Sequence, residues 1–301
     1  MNAGRPHLLL VNPSSGGGRA RKLLPEVERE LRRRQIVFRT VETRSLEHGV
    51  EEARRAADSG ETPVVMSGDG LIGQVGGALA GSGVSLGIVP GGRGNDLARV
   101  LGIPSEPAGA VDVLAQGSER EIDLGEVNGR RFVGIASFGF DSDANRIANE
   151  ARLVRGNLVY AYAALRAMAA WRPASFTVAV DGGQPMTFTG FSVAVANSRA
   201  FGGGMYVAPH AKLDDGLFDV IVIGGFGKLR YLANLPKVFK GTHVEVDEVT
   251  ELPAAGAEIR VSADRDFAVY ADGERLADLP ATLRVLPRAL GVIAPAAEAT
   301  A

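Results

Sequence analysis

The residues of the first hundred positions that could do chemistry collect in three glycine turns. Ser67-Gly68-Asp69-Gly70 follows the apolar run Pro63-Val64-Val65-Met66, and Pro90-Gly91-Gly92-Arg93-Gly94-Asn95-Asp96 follows the run at 86–89. Asn12-Pro13-Ser14-Ser15-Gly16-Gly17-Gly18 follows Leu8-Leu9-Leu10-Val11. Glycine lets a backbone approach a ligand closely, and a helix starting at such a turn offers unpaired N–H groups and a positive dipole end to an anion. One Gly-Asp-Gly is also an ordinary β-turn. Three glycine turns, each directly after a buried strand, predict a cradle for a polyphosphate. There is no G-x-x-x-x-G-K-[ST], which excludes a Walker-type loop, and no G-x-G-x-x-G opens the first strand–helix unit, which weighs against a redox dinucleotide.

Those turns need elements to hold them. Residues 19–34 carry Leu23, Val27 and Leu31 at four-residue spacing, an amphipathic helix with an Arg- and Glu-rich outer face. Residues 36–41 read as the next strand, 46–57 as a helix, and 71–80 and 97–101 as the helices after the second and third turns. Strands alternating with helices predict a parallel sheet covered on both faces, with ligands outside the carboxyl ends of its strands. After about residue 117 the texture changes. Runs at 122–127, 131–135, 176–180, 186–188, 191–196, 218–223, 258–262 and 268–270 read as strands, punctuated by Asn128-Gly129, Asp181-Gly182-Gly183, Asp215-Gly216 and Asp272-Gly273. Helices are predicted at 144–171 and 229–240. The expected fold is an N-terminal Rossmann-like parallel α/β domain plus a C-terminal antiparallel β-sandwich. The expected bounds are 1–120, with about 285–301 returning to that domain through the apolar pieces 283–286 and 292–293, and 121–284.

Composition narrows the classes. The chain has 301 residues, 46% hydrophobic and 23% charged, with a formal net charge of −2 and no cysteine. No basic field points to nucleic acid, and thiolate chemistry and disulfides are excluded. No run has the length of a membrane span or a signal sequence, and a cytoplasmic protein is expected.

Asn12-Pro13-Ser14-Ser15-Gly16, Gly68-Asp69-Gly70 and Gly92-Arg93-Gly94-Asn95-Asp96-Leu97-Ala98-Arg99 resemble the ATP-binding signatures of the diacylglycerol kinase catalytic family. This family takes in soluble bacterial lipid kinases and the sphingosine and ceramide kinases. Lys212-Leu213-Asp214-Asp215-Gly216-Leu217-Phe218 resembles its metal-associated K-x-D-D-G segment, and Asp272-Gly273-Glu274 its late D-G-E motif. Five motifs in the family's order span nearly the whole chain. The departures are Ser67 and Leu71 where G-G-D-G-T is usual, Gly73 and Gln74 for Asn-Glu, and Arg93 for the Thr of G-T-G-N-D. Two phosphate-bonding hydroxyls are thereby lost, and a guanidinium at Arg93 is suited to replace one of them.

The resemblance implies an NAD kinase/diacylglycerol kinase-like fold and Mg²⁺-dependent transfer of the ATP γ-phosphate to a hydroxyl of a diacylglycerol-like lipid, with ATP in the cleft between the domains. ATP would be held by Asn12, Pro13, Ser14, Ser15, Gly16, Thr43, Ser67, Gly68, Asp69, Gly70, Arg93, Gly94, Asn95 and Asp96. Asp69 would hold the catalytic cation, because Mg²⁺ takes only one or two carboxylates and keeps waters. Asp272 and Glu274 are the candidates for general base and accessory carboxylate, and the resemblance points to Glu274 as proton acceptor. Asp215 and the carbonyls of Lys212 and Leu217 would hold a structural Mg²⁺. The acidic loop Gly139-Phe140-Asp141-Ser142-Asp143 suits either the wall of the acceptor cleft or, the favoured reading, a helix cap at Ser142 or Asp143. Within the segment Leu153 to Trp171, Leu158, Tyr162, Leu165 and Met168 form a stripe that suits either a lipid groove or core packing, near Arg152, Arg155, Arg166 and Arg172. The expected partners are a lipid at or drawn from a membrane surface and a second copy in a homodimer, with peripheral contact at the inner membrane face. Two alternatives stay open: an NAD-kinase-like enzyme, and a non-catalytic nucleotide- or lipid-binding protein that has lost two threonines.

Overall fold

Leu8, Leu9, Leu10 and Val11 are wholly shielded from solvent, the pattern of a central strand covered on both faces. They form β1 (His7–Val11) of a four-stranded parallel sheet ordered β2-β1-β3-β4, with β2 (Phe38–Glu42), β3 (Thr62–Ser67) and β4 (Gly87–Pro90). The computed structural model describes residues 5–150, 166–225 and 227–296. The chain divides into two compact units. Unit 1 comprises Met1–Leu124, Gly202–Gly204 and Pro287–Ala301, and unit 2 comprises Gly125–Phe201 and Met205–Leu286.

Helices alternate with the strands of unit 1: α1 (Ser15–Arg33), α2 (Leu46–Asp58), α3 (Asp69–Leu79), α4 (Asp96–Val100) and α5 (Pro107–Gln116), the last in a stretch where the sequence pattern predicts none. The regular part of α1 starts only after Gly16, Gly17 and Gly18, all left-handed with φ of 62°, 70° and 91°. Its Ala20, Val27 and Leu31 are buried, while Arg32–Glu28 and Arg33–Glu30 pair outside at 2.9 Å. Ser45 caps α2 by accepting the His48 N–H at 3.1 Å. Register aligns the strand ends. Val11 stands opposite Met66, Met66 opposite Val89 and Ser67 opposite Pro90. The three glycine turns therefore leave the sheet side by side at its carboxyl edge.

Unit 2 is built on antiparallel pairing. Its strands are β5 (Ser118–Val127), β6 (Arg130–Phe132), β7 (Ile135–Gly139), β8 (Ala174–Val180), β9 (Met186–Ala196), β10 (Phe218–Gly224), β11 (Val249–Gly256), β12 (Glu258–Ala263), β13 (Ala268–Ala271), β14 (Glu274–Asp278) and β15 (Ala281–Ala294). The divide between the units falls inside β5 and again inside β15, whose last residues bond Leu86 of unit 1: Leu86 N–H to Gly291 O at 2.8 Å and Ile293 N–H to Leu86 O at 3.0 Å. The order is β14-β13-β7-β9-β8-β12-β15-β5-β6, with β10 between β9 and β11.

Three sequence expectations change here. The separate strands at 186–188 and 191–196 are one strand, β9. It runs through Gly190, where a Cβ would stand 2.6 Å from Gly224 Cα, and pairs first with β8 and then with β7. Apolar spacing cannot show a strand that changes partners midway. The run at 131–135 is two strands, β6 and β7, parted at Val133-Gly134. The helix expected at 144–171 begins earlier, as α6 (Phe140–Glu150), and 166–170 are helical, while 151–165 lie outside the described residues. A further helix, α7 (Lys228–Val238), precedes β11. Phe132, Phe138, Phe176, Phe191 and Phe218, each at most 1% exposed, anchor the core of unit 2.

Candidate functional site

Glycine brings the three turns of unit 1 into mutual contact. A Cβ on Gly16 would lie 2.7 Å from the Gly91 carbonyl oxygen, and one on Gly68 3.2 Å from Gly92 Cα. Any side chain at these positions would push the loops apart. An open cleft of about 340 Å³ results, with Asn12, Ser15, Gly16, Ser67, Gly68, Asp69, Gly70, Arg93 and Gly94 of the expected residues in its wall. Leu46, Leu71 and Gly92 complete the lining. Asn12 shapes the first turn, its Oδ1 accepting the Ser14 N–H at 3.2 Å and hydroxyl at 3.0 Å. The Arg93 guanidinium stands over the first turn, 3.3 Å from where a Gly17 Cβ would be. Arg19 reaches back to the Gly92 carbonyl at 3.4 Å.

The acidic residues of the second and third turns divide by what they already hold. Asp96 is buried and accepts the N–H groups of Gly203 at 2.8 Å and Gly204 at 2.7 Å, which fastens 202–204 to unit 1. Asn95, left-handed at φ 51°, closes the third turn on itself, its Oδ1 taking the Gly92 N–H at 2.8 Å and its Nδ2 giving to the Gly92 carbonyl at 3.1 Å. Both lie outside the cleft lining. Asp69 is different. Its Oδ1 accepts the Leu97 N–H at 3.2 Å, while its Oδ2 lies 2.9 Å from where a Cβ of Gly94 would stand. That same position is 3.2 Å from an Asp96 carboxylate oxygen, so two carboxylates flank one glycine. Burial first, and then Asp96, push the Asp69 carboxyl above the usual range, against the pull of backbone N–H groups.

Pro13, Ser14 and Thr43 also stand apart from the lining. Thr43 is buried, donates its N–H to Val11 O at 2.8 Å, and has its methyl 3.2 Å from where a Gly49 Cβ would sit. Leu71 packs into the same spot. It is 2% exposed, with Cδ1 only 2.7 Å from that Gly49 position. Nothing in the spacing of the sequence signals this pairing of Gly49 in α2 with Leu71 in α3.

In unit 2, Asp272 and Gly273 form the two-residue turn between β13 and β14, both with positive φ, 51° and 85°. The Asp272 carboxylate accepts two backbone N–H groups, from Val133 at 2.8 Å and from Gly134 at 3.0 Å. Glu274 opens β14, half-shielded, with Oε2 at 3.5 Å from Arg130 Nη2. Arg130 also donates to the Arg275 carbonyl at 2.7 Å, which fixes its fork beside Glu274. In the loop before β10, Leu213 is buried, Lys212 and Asp214 are exposed, and Asp215 Oδ1 accepts the Leu217 N–H at 3.1 Å across left-handed Gly216. Among the described residues no three acidic or histidine side chains gather as a metal cluster.

Ser142 caps α6 from inside its first turn, accepting the Gly139 N–H at 3.1 Å and donating to its carbonyl at 2.8 Å. Met168 and Trp171 are core residues: Trp171 packs edge-on against Phe140 at 5.7 Å and stacks on Phe191 at 5.8 Å. Arg166 and Arg172 are exposed, and Arg152, Leu153, Arg155, Leu158, Tyr162 and Leu165 lie outside the described residues.

Two family models match the chain: the diacylglycerol kinase catalytic domain over residues 6–127, and the YegS C-terminal NAD kinase beta sandwich-like domain over residues 134–294. A diacylglycerol kinase of Mycobacterium tuberculosis is 34% identical over 294 residues, covering 95% of this chain and 94% of that protein. A diacylglycerol kinase of Bacillus subtilis is 28% identical, covering 97% of each. Among solved structures, a diacylglycerol kinase from Bacillus anthracis has a TM-score of 0.76 at 21% identity, covering 98% of both chains. An NAD kinase from Archaeoglobus fulgidus in complex with ATP has 0.52 at 13%, covering 95% of this chain and 93% of its own. These structural likenesses establish the fold.

Proposed function

Because the chain belongs to the diacylglycerol kinase family, we propose that it transfers the γ-phosphate of ATP to a hydroxyl of a diacylglycerol-like lipid, with Mg²⁺ as the cation. The observation that carries this reading is the pairing of Asp69 with Asp96 around Gly94 at a glycine-lined cleft. Two carboxylates so close, Asp96 buried and Asp69 half-buried in the cleft wall, repel each other, and a divalent cation at Asp69 would relieve the repulsion that now helps raise its pKa. The donor set fits Mg²⁺, which needs few protein oxygens and keeps its waters. Held by Asp69, Mg²⁺ would supply the positive charge that offsets the charge of the phosphoryl group in transit.

The chain's own residues do the rest. The left-handed glycines of the first turn and the N-terminus of α3 direct N–H groups at phosphate oxygens. Arg93 stands where it can add a full positive charge, and Asn95 and Asp96 hold the shape of the loop that carries it. Glu274 takes the proton of the acceptor hydroxyl, while Asp272 keeps its turn in place. Asp215, with the carbonyls of Lys212 and Leu217, is assigned to a second, structural Mg²⁺.

The test uses the whole protein with Mg²⁺, γ-labelled ATP and a bacterial lipid extract. Label should enter the organic phase and be lost in Asp69→Ala, with Glu274→Gln lowering kcat by about 10²–10⁴-fold while ATP still binds. Label recovered on NAD instead would replace the lipid acceptor. ATP binding with no transfer to either would replace the enzyme by a binding protein.

A further inference from the structure

From Val220 to Val244 the chain has no acidic residue, yet it carries Lys228, Arg230, Lys237 and Lys240 in a protein whose net charge is −2. These cations sit on α7 or just past its end, and all are exposed. The inner face of α7 is anchored by Tyr231, 7% exposed. The outer face carries Leu229, 83% exposed, Phe239, 53% exposed, and exposed Ala233 and Pro236 between them. At about 100° per residue, Leu229, Ala233 and Pro236 point the same way, so the apolar residues make a stripe along the helix rather than a scatter. Arg230 is tied to Glu248, and Lys228 donates to the Ala169 carbonyl at 3.0 Å. Lys237 and Lys240 make no ion pair among the described residues.

We propose that the outer face of α7 docks on an anionic phospholipid bilayer. Leu229 and Phe239 would enter the boundary between headgroups and acyl chains, with Lys237 and Lys240 meeting the phosphates. Charge complementarity selects this occupant: an acid-free cationic stretch flanks bare apolar side chains, and long lysine stems can lie on the apolar zone while their heads stay at the phosphates. A nucleic acid would leave Leu229 and Phe239 unused. The assignment deepens the lipid-kinase reading by naming the surface that meets the acceptor's membrane, but its test uses no phosphoryl transfer.

The protein is sedimented with vesicles of phosphatidylcholine alone and of phosphatidylcholine mixed with phosphatidylglycerol. It should bind the mixed vesicles, and less so as salt rises. Lys237→Gln and Lys240→Gln should each weaken binding about fivefold, the factor expected for one basic residue near an anionic surface. Leu229→Glu with Phe239→Glu should weaken it at least as much as both lysine changes together, with unchanged melting and unchanged transfer to a water-soluble short-chain diacylglycerol. Equal binding by the double-Glu variant would overturn the assignment. So would absence of binding to mixed vesicles, or a dimer that the double-Glu variant dissolves without any vesicle binding. Loss of the lipid-kinase reading alone would appear as no transfer to the soluble acceptor while vesicle binding persists.

Discussion

The turn at Asp69 in unit 1 and the turn at Asp272 in unit 2 both set an aspartate beside glycine, and they use the carboxylate in opposite ways. Asp272 engages both oxygens with backbone N–H groups, from Val133 and Gly134, and sits in the left-handed region at φ 51°. A Cβ on Gly134 would collide with its Oδ1, so the two loops are fitted to each other. Asp69 keeps an oxygen by Gly94, faces Asp96, and is pushed up by burial and by that neighbour. A carboxylate saturated by N–H donors belongs to the frame, whereas one held under repulsion is ready for a cation. Within the D-G-E motif the same contrast separates Asp272, which ties its turn to Val133 and Gly134, from Glu274, which pairs with Arg130 and is the residue proposed to take the proton.

The comparison breaks if the two aspartates respond alike to removal. Asp272→Ala strands two backbone N–H groups that had a charged acceptor, and it should cost about 3 kcal/mol in denaturant unfolding. Asp69→Ala loses the Leu97 N–H contact and the pull of neighbouring backbone N–H groups, but it also removes a like-charge repulsion and a burial cost, and should stay within about 1 kcal/mol of the wild type. Equal losses would make Asp69 a structural residue and remove the argument for a cation there.

A sharper test lies two residues beyond Asp69. Leu71 occupies a position where the family writes threonine, and its side chain is core, against Gly49. Leu71→Thr should cost about 2–3 kcal/mol through the cavity it leaves and the hydroxyl it buries. Gly49→Ala clashes with Leu71 Cδ1 in the wild type, yet in the Leu71→Thr background its methyl has room. The two changes together should cost less than their sum, as a double-mutant cycle on unfolding would show. Strict additivity would mean that Leu71 and Gly49 do not pack as a pair.

These residues also mark how far the sequence reaches. The glycine turns were legible because each closes an apolar run, and parallel register alone puts their three strand ends in line. The family resemblance singled out Asp69, Glu274 and Arg93. It could not separate residues that line the cleft from those that hold its walls. Asn95 and Asp96 stand in one motif with Arg93, but their side chains are consumed by Gly92, Gly203 and Gly204, and the last two come from more than a hundred residues away. Such long-range N–H acceptance has no local signature. Nor does the handover of β9 from β8 to β7 on one edge while β10 stays paired along the other, a change of backbone partners that no alternation of side chains records.

Asp219 in β10 is intermediate between the two aspartates in what its carboxylate holds, and it gives the smallest effect. It is buried and takes one N–H, from Ala254 at 3.3 Å, where Asp272 takes two. Burial above all, with Asp215 and Glu251 adding to it, pushes its carboxyl from the ordinary value of 3.8 up to about 6. The folded protein therefore holds this proton more tightly than the unfolded chain does. Stability from this group is complete below about pH 4 and falls as pH rises through the window up to about 6. Above that window the folded state carries a buried carboxylate that water and one N–H only partly satisfy. Asp219→Asn keeps an acceptor for Ala254 and has no proton to lose. The variant should melt higher than the wild type at pH 8, by about 1 kcal/mol, a fraction of the roughly 3 kcal/mol that the displacement from 3.8 to about 6 would be worth without solvent screening, and this advantage should vanish toward pH 4. A gain that is the same at both ends of the range would assign the effect to packing, and Asp219 would then belong with Asp272 rather than between the two.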